Sequence, residues 1–172
     1  MKDSGRAGML SHLTRSAGEV GWDNLLDPFC KAGPPEISLH LAVLIEPYLS
    51  FILDGQKTVE SRFSIRAMPP YRRVERGDIV LLKESGGPIV GAFTAAAVWF
   101  YELDADSWSD LRREFAEALC AQAGFWEARE TAAFATLIRI SEARKVPPMR
   151  VPKRDRRAWV VLADRAREGR LL

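Results

Sequence analysis

Five hydrogen-bonding side chains fall within one short stretch of the chain: Lys57, Thr58, Glu60, Arg62 and Ser64. If residues 57–65 are extended, period-two alternation puts Thr58, Glu60, Arg62 and Ser64 on one face. Lys57 stands where the chain leaves a preceding helix, close to its partially negative carboxyl end. Such a group grips a polar ligand: Arg62 forks onto a phosphate or a base edge, Glu60 accepts from an exocyclic amine, and Lys57 supplies a point charge. The same spacing also fits a solvated edge strand in which Glu60 simply pairs with Lys57 or Arg62.

A second feature is the distribution of charge. The 172 residues carry a formal net charge of only +2, from 25 basic and 23 acidic side chains. That total hides two opposed regions. Residues 139–170 hold eleven basic residues against four acidic ones, whereas residues 102–130 hold eight acidic residues against three arginines. A basic face can neutralise phosphates, with an affinity that salt removes. Arg144, Lys145, Arg150, Lys153, Arg154 and Arg157 are the candidates for such contacts, because Pro147, Pro148 and Pro152 predict an exposed loop there. The alternative is a solubilising, solvated tail. Tyr71 beside Arg72 and Arg73, and Trp126 beside Arg129, are aromatic and basic neighbours that could stack a base while holding its backbone, although Trp126 also suits core packing.

The elements that must position these residues follow from apolar spacing. Alternating apolar residues from Ile37 to Ile45 predict a buried strand, and Pro47 and Gly55 bracket a short helix with Tyr48, Phe51 and Ile52 inward. The chemical strand over 57–65 comes next, then an Arg76-Gly77-Asp78 turn into the strand Ile79 to Leu82 and a long apolar strand ending near Tyr101. Ser107 caps a helix carrying Trp108, Leu111, Phe115, Ala118 and Leu119. A helical turn from Phe125 to Arg129 leads to a strand over 135–140, which Pro147 and Pro148 end, and Trp159 to Leu162 form the last strand. Five or six short strands, two or three interspersed helices and no regular βαβ repeat predict a small mixed barrel of the α+β class.

Domain organisation follows the same reading: an appendage over 1–35, a compact domain over 36–163 and a basic tail over 164–172. In the appendage, Trp22, Leu25, Leu26 and Phe29 have the spacing of one helical face, predicting a short amphipathic helix that docks on the domain, frays in solution or binds a protein partner.

Several classes are excluded by what is missing. Cys30 and Cys120 are too far apart in sequence to suggest a disulfide framework or a metal site, and a reducing cytoplasmic setting is the simplest expectation. His12 and His40 have no companion at ligand spacing, so no metal and no cofactor is implied. There is no P-loop, G-x-G-x-x-G or G-x-S-x-G motif. The first ten residues lack the apolar core of a secretory signal, and the stretch from Ser85 to Tyr101 is too short and punctuated for a membrane span.

Gly55-Gln56-Lys57-Thr58-Val59-Glu60-Ser61-Arg62 resembles the G-x-K-x-x-E-x-R signature of ASCH domains, a branch of the PUA-like β-barrel superfamily. The order of elements over about 36–163 is similar to that family as well. The resemblance implies a PUA-like barrel with a nucleic-acid-facing cleft lined by Lys57, Glu60 and Arg62. It also implies an alternative, because some small bacterial ASCH proteins are amidohydrolases that release the acetyl group of N4-acetylcytidine, and others are ribonucleases. The amidohydrolases use a lysine, a threonine nucleophile three residues later and a glutamate on a later strand. Here Lys57 matches the lysine, Glu60 stands at the nucleophile position, and residues 90–100 contain no acid.

Three expectations therefore compete. The first is a module binding RNA or a modified nucleotide, with DNA as the alternative, through Lys57, Thr58, Glu60, Arg62 and Ser64, with Arg72, Arg73 and the 144–157 cations on phosphates. The second is a hydrolase acting on the same ligands, with Lys57 and Glu60 as its catalytic candidates. The third is a protein-interaction module working through residues 22–29.

Overall fold

A computed structural model describes residues 4–22, 24–153 and 156–166. Helix α1 spans Ser4–Ser16, followed by strand β1 (Leu39–Leu44), helix α2 (Tyr48–Leu53) and strands β2 (Val59–Ser64), β3 (Ile79–Glu84) and β4 (Ile89–Glu102). Helix α3 (Ala105–Phe115) then precedes β5 (Phe134–Met149) and β6 (Trp159–Ala163). The six strands form one mixed sheet in the order β2-β5-β4-β3-β1-β6, in which only β1 and β3 pair in parallel. The sheet curls into a half-barrel flanked by the three helices, the α+β barrel class expected from the sequence.

The curl originates in the long β4–β5 ladder. Its register shifts three times, and each extra residue bends and twists the strand that carries it. Two of these irregularities correct the sequence reading. Pro147 and Pro148 do not end a strand: β5 runs on to Met149, because four steps from Lys145 to Met149 face only two from Gly91 to Ile89. The prolines fall in that bulge, where no ladder donor is required of them. Arg144 and Lys145 therefore stand on a strand, not in a loop. Glu142, in the left-handed region at φ 51°, occupies the neighbouring bulge.

Gly91 lets α2 sit close to the sheet. A Cβ there would meet Leu53 Cδ2 at 2.5 Å and the Arg144 carbonyl oxygen at 3.0 Å. That close seating matters because α2 ends just before the chemical strand.

The N-terminal region also differs from expectation. The helix lies at Ser4–Ser16, and residues 24–29 are a turn ending in a 3-10 turn, Asp27–Phe29. Asn24 at φ 56° and Pro28 break the helical run that the apolar spacing suggested. Trp22, Leu25 and Leu26 join Met9 and Leu13 in a buried cluster with Leu39, Leu41 and Leu81 of the sheet, and the Trp22 indole donates to the Pro147 carbonyl at 2.7 Å. Those side chains are buried in the protein's own core, which removes them as an exposed face for a partner.

A second cluster beneath the sheet contains Ala42, Ile52, Val80, Phe93 and Ile138, and a third packs Val59 and Leu137 against Leu111, Phe115 and Leu119. Helix α3 is capped by Asp104, whose side chain accepts from the Ser107 amide while the Ser107 hydroxyl accepts in return. Ser107 is thus the third helical residue of a capping box and not its N-cap.

Candidate functional site

The half-barrel brings its two sheet edges face to face. Arg62 on β2 donates from Nη2 to the Val43 carbonyl of β1 at 3.0 Å and from Nη1 to the Ala158 carbonyl, just before β6, at 3.2 Å. These two bonds close the mouth of the sheet and set the width of a cleft of about 450 Å³. Its charged lining is Lys57, Glu60, Arg62 and Arg129, and its aromatic lining is Tyr48, Phe63 and Phe125.

Lys57, Glu60 and Arg62 form a continuous ionic row. Glu60, 3% exposed, accepts from Arg62 Nε on one carboxylate oxygen at 2.9 Å and faces Lys57 Nζ with the other at 3.5 Å. The Lys57 ammonium also donates to the Leu119 carbonyl at 3.1 Å and lies 5.2 Å from the Tyr48 ring centre. Its anchor is therefore the turn after α3, not the end of α2 that the sequence suggested, although the Lys57 backbone amide does bond the Phe51 carbonyl of α2. Burial lowers the Lys57 pKa below 10.5, and attraction to Glu60 offsets part of that shift.

Arg129 completes the lining from the turn after α3. Its guanidinium lies 3.8 Å from the Phe125 ring centre, and Nη1 donates to the Phe125 carbonyl at 2.7 Å. Burial lowers its pKa, with Tyr48 and Glu60 acting in the opposite sense. The sequence paired Arg129 with Trp126, whereas the backbone turn stacks it on Phe125.

Behind the row runs a buried relay. Asp78, fully buried, accepts from the backbone amides of Ser38 at 2.7 Å and Glu75 at 2.8 Å, from His40 Nε2 at 3.1 Å and from Arg165. His40 Nδ1 accepts from the Trp159 indole at 3.2 Å. Because indole N–H only donates, this bond fixes the tautomer with Nδ1 unprotonated. The Trp159 ring lies 5.3 Å beneath the Arg62 guanidinium, so a hydrogen-bonded Asp78–His40–Trp159 unit supports the floor of the cleft. Arg165, assigned by sequence to a solvated tail, is a member of that unit.

Of the residues selected from sequence, Lys57, Glu60 and Arg62 come together and Thr58 and Ser64 do not. Thr58 is exposed outside the lining, and the Ser64 hydroxyl donates to the Arg66 carbonyl at 2.8 Å. The strict period of two fails because Glu60 turns inward with Lys57 while Ser61 and Phe63 also reach the cleft. Tyr71 is no exposed platform: it is buried against Phe100 and Phe134, with Arg72 on its outer face and Arg73 paired to Asp164.

The C-terminal cations disperse over the surface. Lys145 faces Asp54 at 3.9 Å, Arg144 lines a separate small depression with Asn24 and Glu142, and the Arg150 carbonyl accepts from His12 Nε2 at 3.2 Å. Arg150 and Lys153 lie near enough to Lys83 to help burial lower its pKa. Arg157 is exposed one residue before Ala158 of the cleft rim, and Arg154 lies outside the described residues.

Tyr48, Phe63, Phe125 and Arg129 were missed as a group because they come from three separate elements. The apolar spacing that marked them for packing was correct, but one side of each faces the cleft. Among the described residues no group of three potential metal ligands occurs, and no helix is long and apolar enough to cross a membrane.

A model of the ASCH domain matches residues 43–146, which takes in the end of β1, α2, β2, β3, β4, α3 and most of β5. The chain belongs to the ASCH domain family. Solved structures similar to this ASCH domain include ASCH from Zymomonas mobilis, at 15% identity and a TM-score of 0.52, covering 64% of this chain and 72% of that one. Two point mutants of that protein match with TM-scores of 0.51, at 17% and 18% identity, covering 64% and 67% of this chain and 74% and 75% of theirs. At these identities the likeness establishes the fold alone. No curated protein matches the chain.

The ionic row makes one titration informative. The Lys57 ε-methylene resonance, followed by NMR, is expected to titrate below 10.5. Between its folded midpoint and 10.5 the unfolded chain holds more protons, so the Lys57 contribution to stability rises with pH across that window and is flat above it. A Lys57 midpoint at or above that of the surface lysines would show that Glu60 attraction outweighs burial.

Proposed function

We propose that this ASCH domain binds RNA, or a modified nucleotide, by admitting one base into the cleft between β2 and the β1–β6 edge. The observation that carries this reading is the pairing of an aromatic wall, Tyr48, Phe63 and Phe125, with a charged row in a space of ordinary small-ligand size. A base is planar and apolar on its faces and polar on its edge. The aromatic side chains suit the faces, while Lys57 and Glu60 present a donor and an acceptor at the buried end. Three cations against one carboxylate leave the cleft positive, which suits the phosphate that accompanies a nucleotide.

Arg62 has a different role here from the one its sequence position suggested. Three of its N–H groups are committed to Glu60, Val43 and Ala158, so it shapes the mouth and lends charge, with the remaining N–H groups available to a phosphate. Arg129, held flat on Phe125, is the better placed cation for the ligand's outer side.

Binding is favoured over hydrolysis because both Glu60 oxygens are engaged, and the threonine that follows Lys57 is exposed outside the lining. The test is fluorescence anisotropy with single-stranded RNA oligonucleotides over a salt series. The expected result is an affinity that falls with salt and falls at least about tenfold in Lys57→Ala and in Arg129→Ala, the scale of one lost charge-assisted contact. Salt-independent binding, or equal binding by both variants, would overturn the reading.

A further inference from the structure

On the far side of Phe63 from the cleft, Trp108 and Trp126 stand at right angles, their ring centres 6.1 Å apart and their planes 85° apart. Phe63 stacks flat behind Trp108 at 5.4 Å and meets Trp126 edge-on at 6.4 Å, so the corner is rigidly backed. The two indoles are half-buried and open onto a surface cavity of about 190 Å³ whose other lining residues are Arg112, Glu127 and Glu130. Of these residues only Phe63 also lines the base-binding cleft.

Perpendicular aromatic faces with carboxylates at the rim attract a soft cation: the ring quadrupoles present negative potential, and a poorly hydrated ammonium loses little by leaving water. Charge around the corner favours a cation over a phosphate. Glu127 and Glu130 have no ion-pair partner among the described residues, and they are the acids that line the corner. Of the arginines within residues 102–130, Arg113 is engaged by Asp110 and Glu114, and Arg129 is turned onto Phe125. The remaining one, Arg112, holds its guanidinium 5.8 Å from the Trp126 ring centre. The corner already holds one of the chain's own cations at the outer limit of such contacts.

We propose that the Trp108–Trp126 corner is a second binding site, for an alkylated ammonium group, and that Arg112 occupies one face of it until that ligand arrives. The site does not rest on the nucleotide reading: its two indoles come from α3 and from the residue before the 3-10 turn at Glu127–Arg129, neither lines the cleft, and its rim charge is of opposite sign.

Choline is the probe, and its neutral isostere 3,3-dimethyl-1-butanol is the control, followed on the full chain by the indole N–H signals of Trp108 and Trp126 in NMR. Saturable shifts at both indoles with choline, and not with the isostere, are expected. Glu127→Gln with Glu130→Gln should weaken binding about fivefold, and Arg112→Gln should tighten it about threefold, the range of exposed cation–π and rim charge effects. These are surface substitutions, and unchanged far-ultraviolet circular dichroism separates lost binding from lost fold. A trimethyllysine peptide binding more tightly than choline assigns the cation to a protein partner, and the reverse assigns it to a free metabolite. Equal binding of choline and the isostere, no binding of either, or weaker binding in Arg112→Gln overturns the proposal. Tighter occupation of the corner by adenosine monophosphate than by choline also overturns it, making the corner a base-stacking platform instead.

Discussion

Glu60→Gln is expected to lower stability by about 3–5 kcal/mol and to abolish measurable RNA binding, because it leaves two buried cations without their shared counter-charge. Glu60 is the only acid in the ionic row, with Lys57 at 3.5 Å on one oxygen and Arg62 at 2.9 Å on the other. A neutral amide cannot offset either charge, and its NH₂ group would face one of the two donors. Urea unfolding reads the stability and anisotropy reads the binding. The companion variant, Lys57→Met with Glu60→Leu, separates the two effects. Replacing a buried ion pair by apolar side chains of similar volume can restore stability, but it removes the donor and acceptor that the base edge needs. The expected pattern is partly recovered stability, with Arg62 still lacking its carboxylate, and binding still absent. A loss below about 1 kcal/mol for Glu60→Gln would place the row in solvent, as an ordinary surface ion pair.

The second large effect is expected at Asp78, distant in sequence from the ASCH motif. Asp78→Ala removes the common acceptor of two backbone amides, the His40 ring and Arg165, leaving several buried donors unsatisfied. The expected cost is again about 3–5 kcal/mol in urea unfolding. The relay also predicts a consequence in the cleft. With His40 no longer held by Asp78, the Trp159 indole loses its fixed acceptor, and the ring beneath Arg62 is no longer held in place. The Trp159 indole N–H signal should therefore shift in the milder variant Asp78→Asn, which keeps one acceptor oxygen. An unmoved Trp159 signal in a folded Asp78→Asn protein would separate the relay from the cleft.

The contrast between these two residues explains what the sequence could reveal. Lys57, Glu60 and Arg62 lie within six positions, at the approach to β2 and on it, so alternation and a short signature bring them out together. His40, Asp78 and Trp159 sit in β1, at the entry to β3 and in β6, and only the parallel β1–β3 pairing and the antiparallel β1–β6 pairing make them neighbours. Long-range pairing has no local signal. The same holds for Arg129, whose position beside the row depends on how the turn after α3 packs against β2. The α+β barrel class was legible because strand lengths and turn residues are local. The prolines at 147 and 148 misled because a bulge, which depends on the partner strand, exempts them from the ladder. Trp22 to Phe29 misled for a related reason: apolar residues at helical spacing also satisfy a turn that folds its side chains into one cluster.

Charge gave a partial answer. The basic excess over residues 139–170 is real, but the fold spreads it between a strand, a loop and the Asp78 relay instead of gathering it at the cleft. The positive character of the cleft comes from Lys57, Arg62 and Arg129, only one of which belongs to the turn region that follows α3 and none to the C-terminal excess.

A ligand that enters between β2 and the β1–β6 edge leaves a direct trace in amide chemical-shift mapping during titration with a short single-stranded RNA. The largest shifts are expected on residues 57–63, on Tyr48 and on residues 125–129. Shifts confined to residues 144–153, with residues 57–63 and 125–129 unmoved, would contradict that route of entry.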